Sequence, residues 1–91
     1  MRDIQCSKQA QKFLNRQTGT TRQRIIEAIE KLPEGDVKKL SGREGYRLRV
    51  GDYRVIFDMY GNVIYIDRIN MRVSLLFFKF LRYYKINKLG G

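Results

Sequence analysis

The chain has 91 residues, 43% of them hydrophobic, which suits one compact domain with a modest core and leaves little room for a second domain or a deep enclosed cofactor pocket. A formal net charge of +10 favours an anionic partner: nucleic acid, an acidic protein or an anionic membrane surface. There is no histidine, which removes the commonest general base at neutral pH and any Ser/His or Cys/His nucleophile pair.

Residues 2 to 6, RDIQC, alternate weakly and predict a short strand. Cys6 is the single cysteine and cannot close an intramolecular disulfide, and MRDIQCSK lacks the apolar centre of a secretory signal, so a reducing, cytoplasmic setting is expected. Ser7 is a good N-cap for a helix of about ten residues, KQAQKFLNRQ, with Ala10, Phe13 and Leu14 at helical spacing. Gln17, Thr18 and Gly19 break that helix, and Thr20 or Thr21 is placed to cap a second one with an apolar stripe of Ile25, Ile26, Ile29 and Leu32. Pro33 and Gly35 end it. Helices joined by so short a break form an antiparallel hairpin that lays its stripes on a sheet.

Residues 34 to 45, EGDVKKLSGREG, are polar and hold three glycines, and read as a connecting loop with Leu40 anchored in the core. Beyond them the period changes to two. YRLRV, YRVIFDM and VIYIDRI are separated by Gly51-Asp52 and by Tyr60-Gly61-Asn62, both turn signals, and predict a three-strand antiparallel meander. The expected fold is therefore α+β, ordered β-α-α-β-β-β, with the helical hairpin on one face of an antiparallel sheet and the other face partly open.

Residues 70 to 91 carry Arg72, Lys79, Arg82, Lys85 and Lys88 and no acidic residue, so this segment supplies half of the net charge. It also holds Leu75, Leu76, Phe77, Phe78, Phe80, Leu81, Tyr83 and Tyr84, too apolar for a solvated end, and is expected to form a C-terminal helix that packs on the domain or on a partner. Its apolar run is broken by Lys79 and Arg82, well short of the roughly 20 residues that span a bilayer, so no membrane role is expected. The expected organisation is one domain over 1–91, with a core over 1–69 and a basic, apolar tail over 70–91.

The residues left for chemistry are cationic and aromatic. The nine carboxylates are scattered, no metal-ligand cluster stands out, and neither a metal nor another cofactor is expected. In YRLRV, Arg47 and Arg49 alternate with Tyr46, Leu48 and Val50 and so share the face opposite the apolar residues. Pairing across Gly51-Asp52 brings Arg54 beside them, and Arg47, Arg49, Arg54, Arg68 and Arg72 are expected to form one patch on the open face. Arginine grips phosphate through a planar, bidentate fork, and Tyr46, Tyr53 or Tyr65 is available to stack on bases. The plain reading of the same spacing is a solvated outer face with ordinary ion pairs.

The segment KKLSGREGYRLRVGDYRVIFDMYGNVIYIDRI resembles the RelE/ParE superfamily of bacterial toxins, and its RelE-type branch most. The resemblance rests on K-L-x-G at Lys39 to Gly42, on the hairpin Tyr46 to Phe57, and on the strand ending in Arg68 and Ile69; with both helices it covers residues 1 to about 69. It implies a toxin of a type II toxin-antitoxin system, paired with a cognate antitoxin in a hetero-oligomer, that acts as a ribosome-dependent endoribonuclease on messenger RNA in the A site. In such enzymes the ribose 2′-hydroxyl attacks the adjacent phosphate. Carried over by position, Arg47 and Arg49 match the basic pair of the second strand of the family pattern, Arg54 the arginine of its third, and Arg72 the arginine after its last.

Two departures stand out. Arginine replaces lysine found in some members at these positions, and it keeps its proton at neutral pH, so the roles implied are electrostatic and the general base stays unassigned. The family pattern R-I-G-x-R-x-D-x-Y is here RINMRVSLLFF, with Asn70 at the glycine and Leu76, Phe77 or Phe78 near the tyrosine. Phenylalanine has no hydroxyl to orient an attacking group. Two readings follow: an altered, frame-shifted ending that attenuates the enzyme, or a replacement of the hydroxyl by Tyr83 or Tyr84. Two competing functions remain, a ParE-like inhibitor of DNA gyrase and a catalytically silent, antitoxin-binding homologue.

Overall fold

The computed structural model describes residues 2–71. Seven elements follow in order: β1 (Asp3–Cys6), α1 (Lys8–Asn15), α2 (Gly19–Glu30), β2 (Asp36–Lys39), β3 (Tyr46–Val50), β4 (Tyr53–Tyr60) and β5 (Val63–Met71). The α+β arrangement expected from the sequence is present, with one strand more. The strands form a single sheet in the order β1-β5-β4-β3-β2; β2, β3, β4 and β5 pair antiparallel, and β1 lies parallel to β5.

The additional strand is β2, which occupies part of the segment expected to be a loop. Asp36, Val37, Lys38 and Lys39 pair with Arg49, Leu48, Arg47 and Tyr46 in turn. Four residues are a weak signal, and only Val37 among them is apolar. Leu40, expected as an anchor, is half-buried and bonds its amide to the Gly45 carbonyl at 3.0 Å.

The helices start where short oxygen-bearing side chains satisfy free amides. Ser7 accepts from the Ala10 amide at 3.1 Å, as expected. At α2 the cap is Thr18 rather than Thr20 or Thr21: it is extended at φ −63°, ψ 158°, and its hydroxyl accepts from the Thr21 amide. Such caps each contribute about 1 kcal/mol. The turns also obey their local chemistry. Gly51 and Gly61 stand at the first position of two-residue turns with φ near +57° and +58°, a region a Cβ disfavours.

The core lies between the helices and one sheet face. Ala10, Ile25, Ile29 and Leu32 from the helical side meet Leu48, Val55, Phe57, Ile64, Ile66 and Ile69 from the sheet. Each fully buried large side chain contributes about 1.5–3 kcal/mol. Beyond Cys6, the last residue of β1, β5 continues and the Gln9 side chain takes over as its neighbour: Gln9 Nε2 donates to the Ile69 carbonyl and Gln9 Oε1 accepts from the Ile69 amide, both at 2.9 Å. This clamp fixes the segment carrying Arg68 and Asn70. The expected C-terminal helix lies outside the described residues.

Candidate nucleic-acid interface

Strand register turns the alternation in the sequence into rows. Leu48, Val55 and Ile69 are aligned across β3, β4 and β5 on the core side, so their neighbours lie on the opposite, open face. The first row there runs Asp36, Arg49, Arg54, Asn70, and the second runs Lys38, Arg47, Ile56, Arg68. Five cations therefore converge on two adjacent rows of four strands. Arg47, Arg49, Arg54 and Arg68 are brought together as expected; Arg72 lies outside the described residues.

Lys38 joins them only because β2 is a strand. Its signal in the sequence was the alternation of Asp36, Val37 and Lys38, in which one valine separates two polar residues.

A bulge secures Arg68. Ile56 pairs with Arg68 but Phe57 pairs with Ile66, which leaves Asp67 as the extra residue of β5. Asp67 and Arg68 are consequently both exposed between buried Ile66 and buried Ile69. Ser7 holds the bulge from the other side, its hydroxyl donating to the Asp67 carbonyl at 2.6 Å and its amide donating to the Ile66 carbonyl at 2.9 Å.

The charges on this face are largely uncompensated. Arg49 Nε is 3.9 Å from Asp36 Oδ2, a loose pair at the sheet edge. Lys38, Arg47, Arg54 and Arg68 have no carboxylate within 4.0 Å among the described residues. Arg47 Nε is fully shielded from solvent and has no hydrogen-bond partner among those residues. A buried unsatisfied donor on a cation is costly.

Two of the tyrosines expected to stack on bases are elsewhere. Tyr46 stacks on Phe57 with ring centroids 5.5 Å apart, and Tyr53 meets Phe13 edge-on at 5.9 Å. Both sit on the helix-covered side, because the alternation that turns Arg47 and Arg54 to the open face turns their immediate neighbours inward. Tyr65 is on the open face, paired with Asp58 across β4 and β5. Among the described residues no group of His, Cys, Asp or Glu is placed to hold a metal ion, and no helix is long and apolar enough to cross a membrane.

The family model for the ParE toxin of the type II toxin-antitoxin system, parDE, matches residues 4–73. The chain belongs to this toxin family, within the RelE/ParE superfamily. No curated protein sequence matches it. Among solved structures, the archaeal RelE-RelB complex from Pyrococcus horikoshii contains a chain 29% identical, with a TM-score of 0.66 over 78% of this chain and 94% of that one. The RelB-RelE antitoxin-toxin complex from Methanococcus jannaschii gives 29% identity and a TM-score of 0.61 over 74% and 88%. The isolated E. coli RelE toxin, at 16% identity and a TM-score of 0.59 over 92% and 99%, shares the fold. The likeness to RelE chains from RelBE systems supports the RelE branch expected from the sequence.

Proposed function

We propose that this toxin is a ribosome-dependent endoribonuclease that cleaves messenger RNA in the A site and is held inactive by a cognate antitoxin. The observation that carries the reading is the pair of cationic rows, in which Arg47, Arg49, Arg54, Arg68 and Lys38 share one open sheet face and, of these five, Arg49 alone has a carboxylate within 4.0 Å among the described residues. Likeness to RelE chains solved in complex with RelB supports both the branch and the antitoxin.

In the proposed reaction the ribose 2′-oxygen attacks the adjacent phosphorus, and the bond to the 5′-oxygen of the next nucleotide breaks. The products are a 2′,3′-cyclic phosphate and a 5′-hydroxyl, with the 2′-hydroxyl proton lost to a base and the leaving oxygen reprotonated. Arginine holds its proton throughout, so Arg47, Arg49 and Arg54 stabilise the doubly charged phosphorane rather than move protons. Arg68 and Lys38 hold flanking phosphates, and Arg72, matched by the resemblance to the arginine after the last strand of the family pattern, is proposed to share the electrostatic role. The setting is the cytoplasm, where the ribosome and its message are found.

The test is an in vitro translation reaction read by primer extension, run beside a gyrase supercoiling assay. Cleavage within codons, lost in Arg54→Ala, is the expected result. Inhibited supercoiling without cleavage would instead make the protein a ParE-like gyrase poison, the reading favoured by the name of its family model.

A further inference from the structure

The open face changes character along β4. After Arg54 and Ile56 the next residues on that face are Asp58 and Tyr60, and Tyr65 is the cross-strand partner of Asp58. With Arg43, Glu44 and Asp67 they line one hollow, and Ile56 belongs both to its wall and to the second cationic row. Ile56 and Asp58 are two residues apart on one strand, a step of roughly 7 Å at about 3.4 Å per residue.

We infer that this hollow holds a base of the bound RNA, guanine by preference, while the cationic rows hold its phosphates. The inference rests on the proposed function and names what selects the substrate. Three carboxylates, on Glu44, Asp58 and Asp67, make the hollow hostile to phosphate, and Arg43 is paired with Asp67 at 3.7 Å. The Tyr60 and Tyr65 rings supply stacking surface of the kind single-stranded RNA uses.

Asp58 supplies direction. Its Oδ1 accepts from the Met59 amide at 2.9 Å and its Oδ2 from the Tyr60 hydroxyl at 3.0 Å, so the carboxylate is fixed in place. Each oxygen of an ionised carboxylate keeps a further acceptor position after one bond. Guanine presents two adjacent N–H donors on its pairing edge, and so matches two side-by-side acceptors; adenine and cytosine offer one amino group each. A basic protein segment is the other occupant such a hollow suits, but continuity with rows that fit phosphate favours a nucleotide.

The full-length protein is titrated with four 2′-O-methyl RNA tetranucleotides that differ in one base and cannot undergo 2′-oxygen attack. The guanine-containing probe should bind on the order of tenfold more tightly than the adenine probe, and Asp58→Asn should remove that ratio. Tyr65→Ala should weaken all four probes. Codon-resolved cleavage on ribosomes should show the same guanine bias, reduced in Asp58→Asn. Equal affinities for the four probes, or a bias that Asp58→Asn leaves intact, overturn the inference and leave the hollow to a basic protein segment. A guanine bias in the probes with no cleavage on ribosomes supports the hollow and counts against the nuclease.

Discussion

Arg49 and Arg54 face each other directly across β3 and β4, two guanidinium groups in register on the open side of the sheet. Like charges in opposed positions are destabilising, by a few tenths to about 1 kcal/mol, and the partner nearest to relieve them is Asp36, 3.9 Å from Arg49 at the sheet edge. A fold optimised for stability alone has no use for that juxtaposition. Arg54→Ala should therefore leave unfolding stability unchanged or raise it by about 0.5 kcal/mol, measured by urea denaturation. In the translation assay the same variant should lose on the order of a hundredfold or more in cleavage rate. A variant that lost stability and kept its activity would overturn the role given to the pair.

Lys38 and Arg47 are cross-strand partners in the second cationic row. If both meet phosphate, each releases counterion on binding, and the logarithm of affinity for single-stranded RNA falls by about 0.7 per contact for each tenfold rise in salt. Lys38→Ala should lower that slope by about one such step, with little effect on folding because the residue is exposed on an edge strand. Arg47→Ala should lower the slope by a similar step. Titration at several ionic strengths gives both slopes.

Gln9 bonds both backbone groups of fully buried Ile69. Gln9→Ala strands a buried amide and a buried carbonyl, which should cost about 2 kcal/mol. The urea midpoint should fall accordingly, and hydrogen exchange at the Ile69 amide should accelerate more than exchange at Val55 in the sheet centre. Equal acceleration at both sites would mean that the clamp has no local role.

The meander was legible because period-two alternation and two Gly-first turns agree, and the helices because Ser7 and the stripe of Ile25, Ile29 and Leu32 agree. Where local signals were few or equivalent, the sequence was ambiguous. Thr20 and Thr21 offered equal caps, and the backbone geometry selects neither but Thr18. Asp36–Lys39 is too short and polar to declare itself a strand, and pairing with β3 makes it one. That pairing is a long-range fact, and Lys38 entered the site only through it. Tyr46 and Tyr53 show the reverse case: strict alternation already turned them inward, against the stacking role expected of them. The bulge was written in the spacing from Ile66 to Ile69, three residues where a regular strand has two.

Tyr60 ties the acidic hollow to a pH-dependent signal. Its hydroxyl donates to Asp58 Oδ2, and that hydrogen bond first, then the Asp58 charge, pushes the phenol above its ordinary value. Since the folded state favours the protonated phenol, the contribution to stability is complete below the unfolded phenol's pKa, near 10. It disappears as pH rises through the higher folded value. Tyr60 is exposed, so the effect on stability is small and the titration itself is the better readout. Ultraviolet absorbance of tyrosinate should reveal a late-titrating residue that is missing in Tyr60→Phe and shifted downward in Asp58→Asn, where the negative charge is gone. If Asp58→Asn leaves the late transition in place, Asp58 does not hold the Tyr60 hydroxyl in solution, and the fixed carboxylate on which guanine selection depends is lost with it.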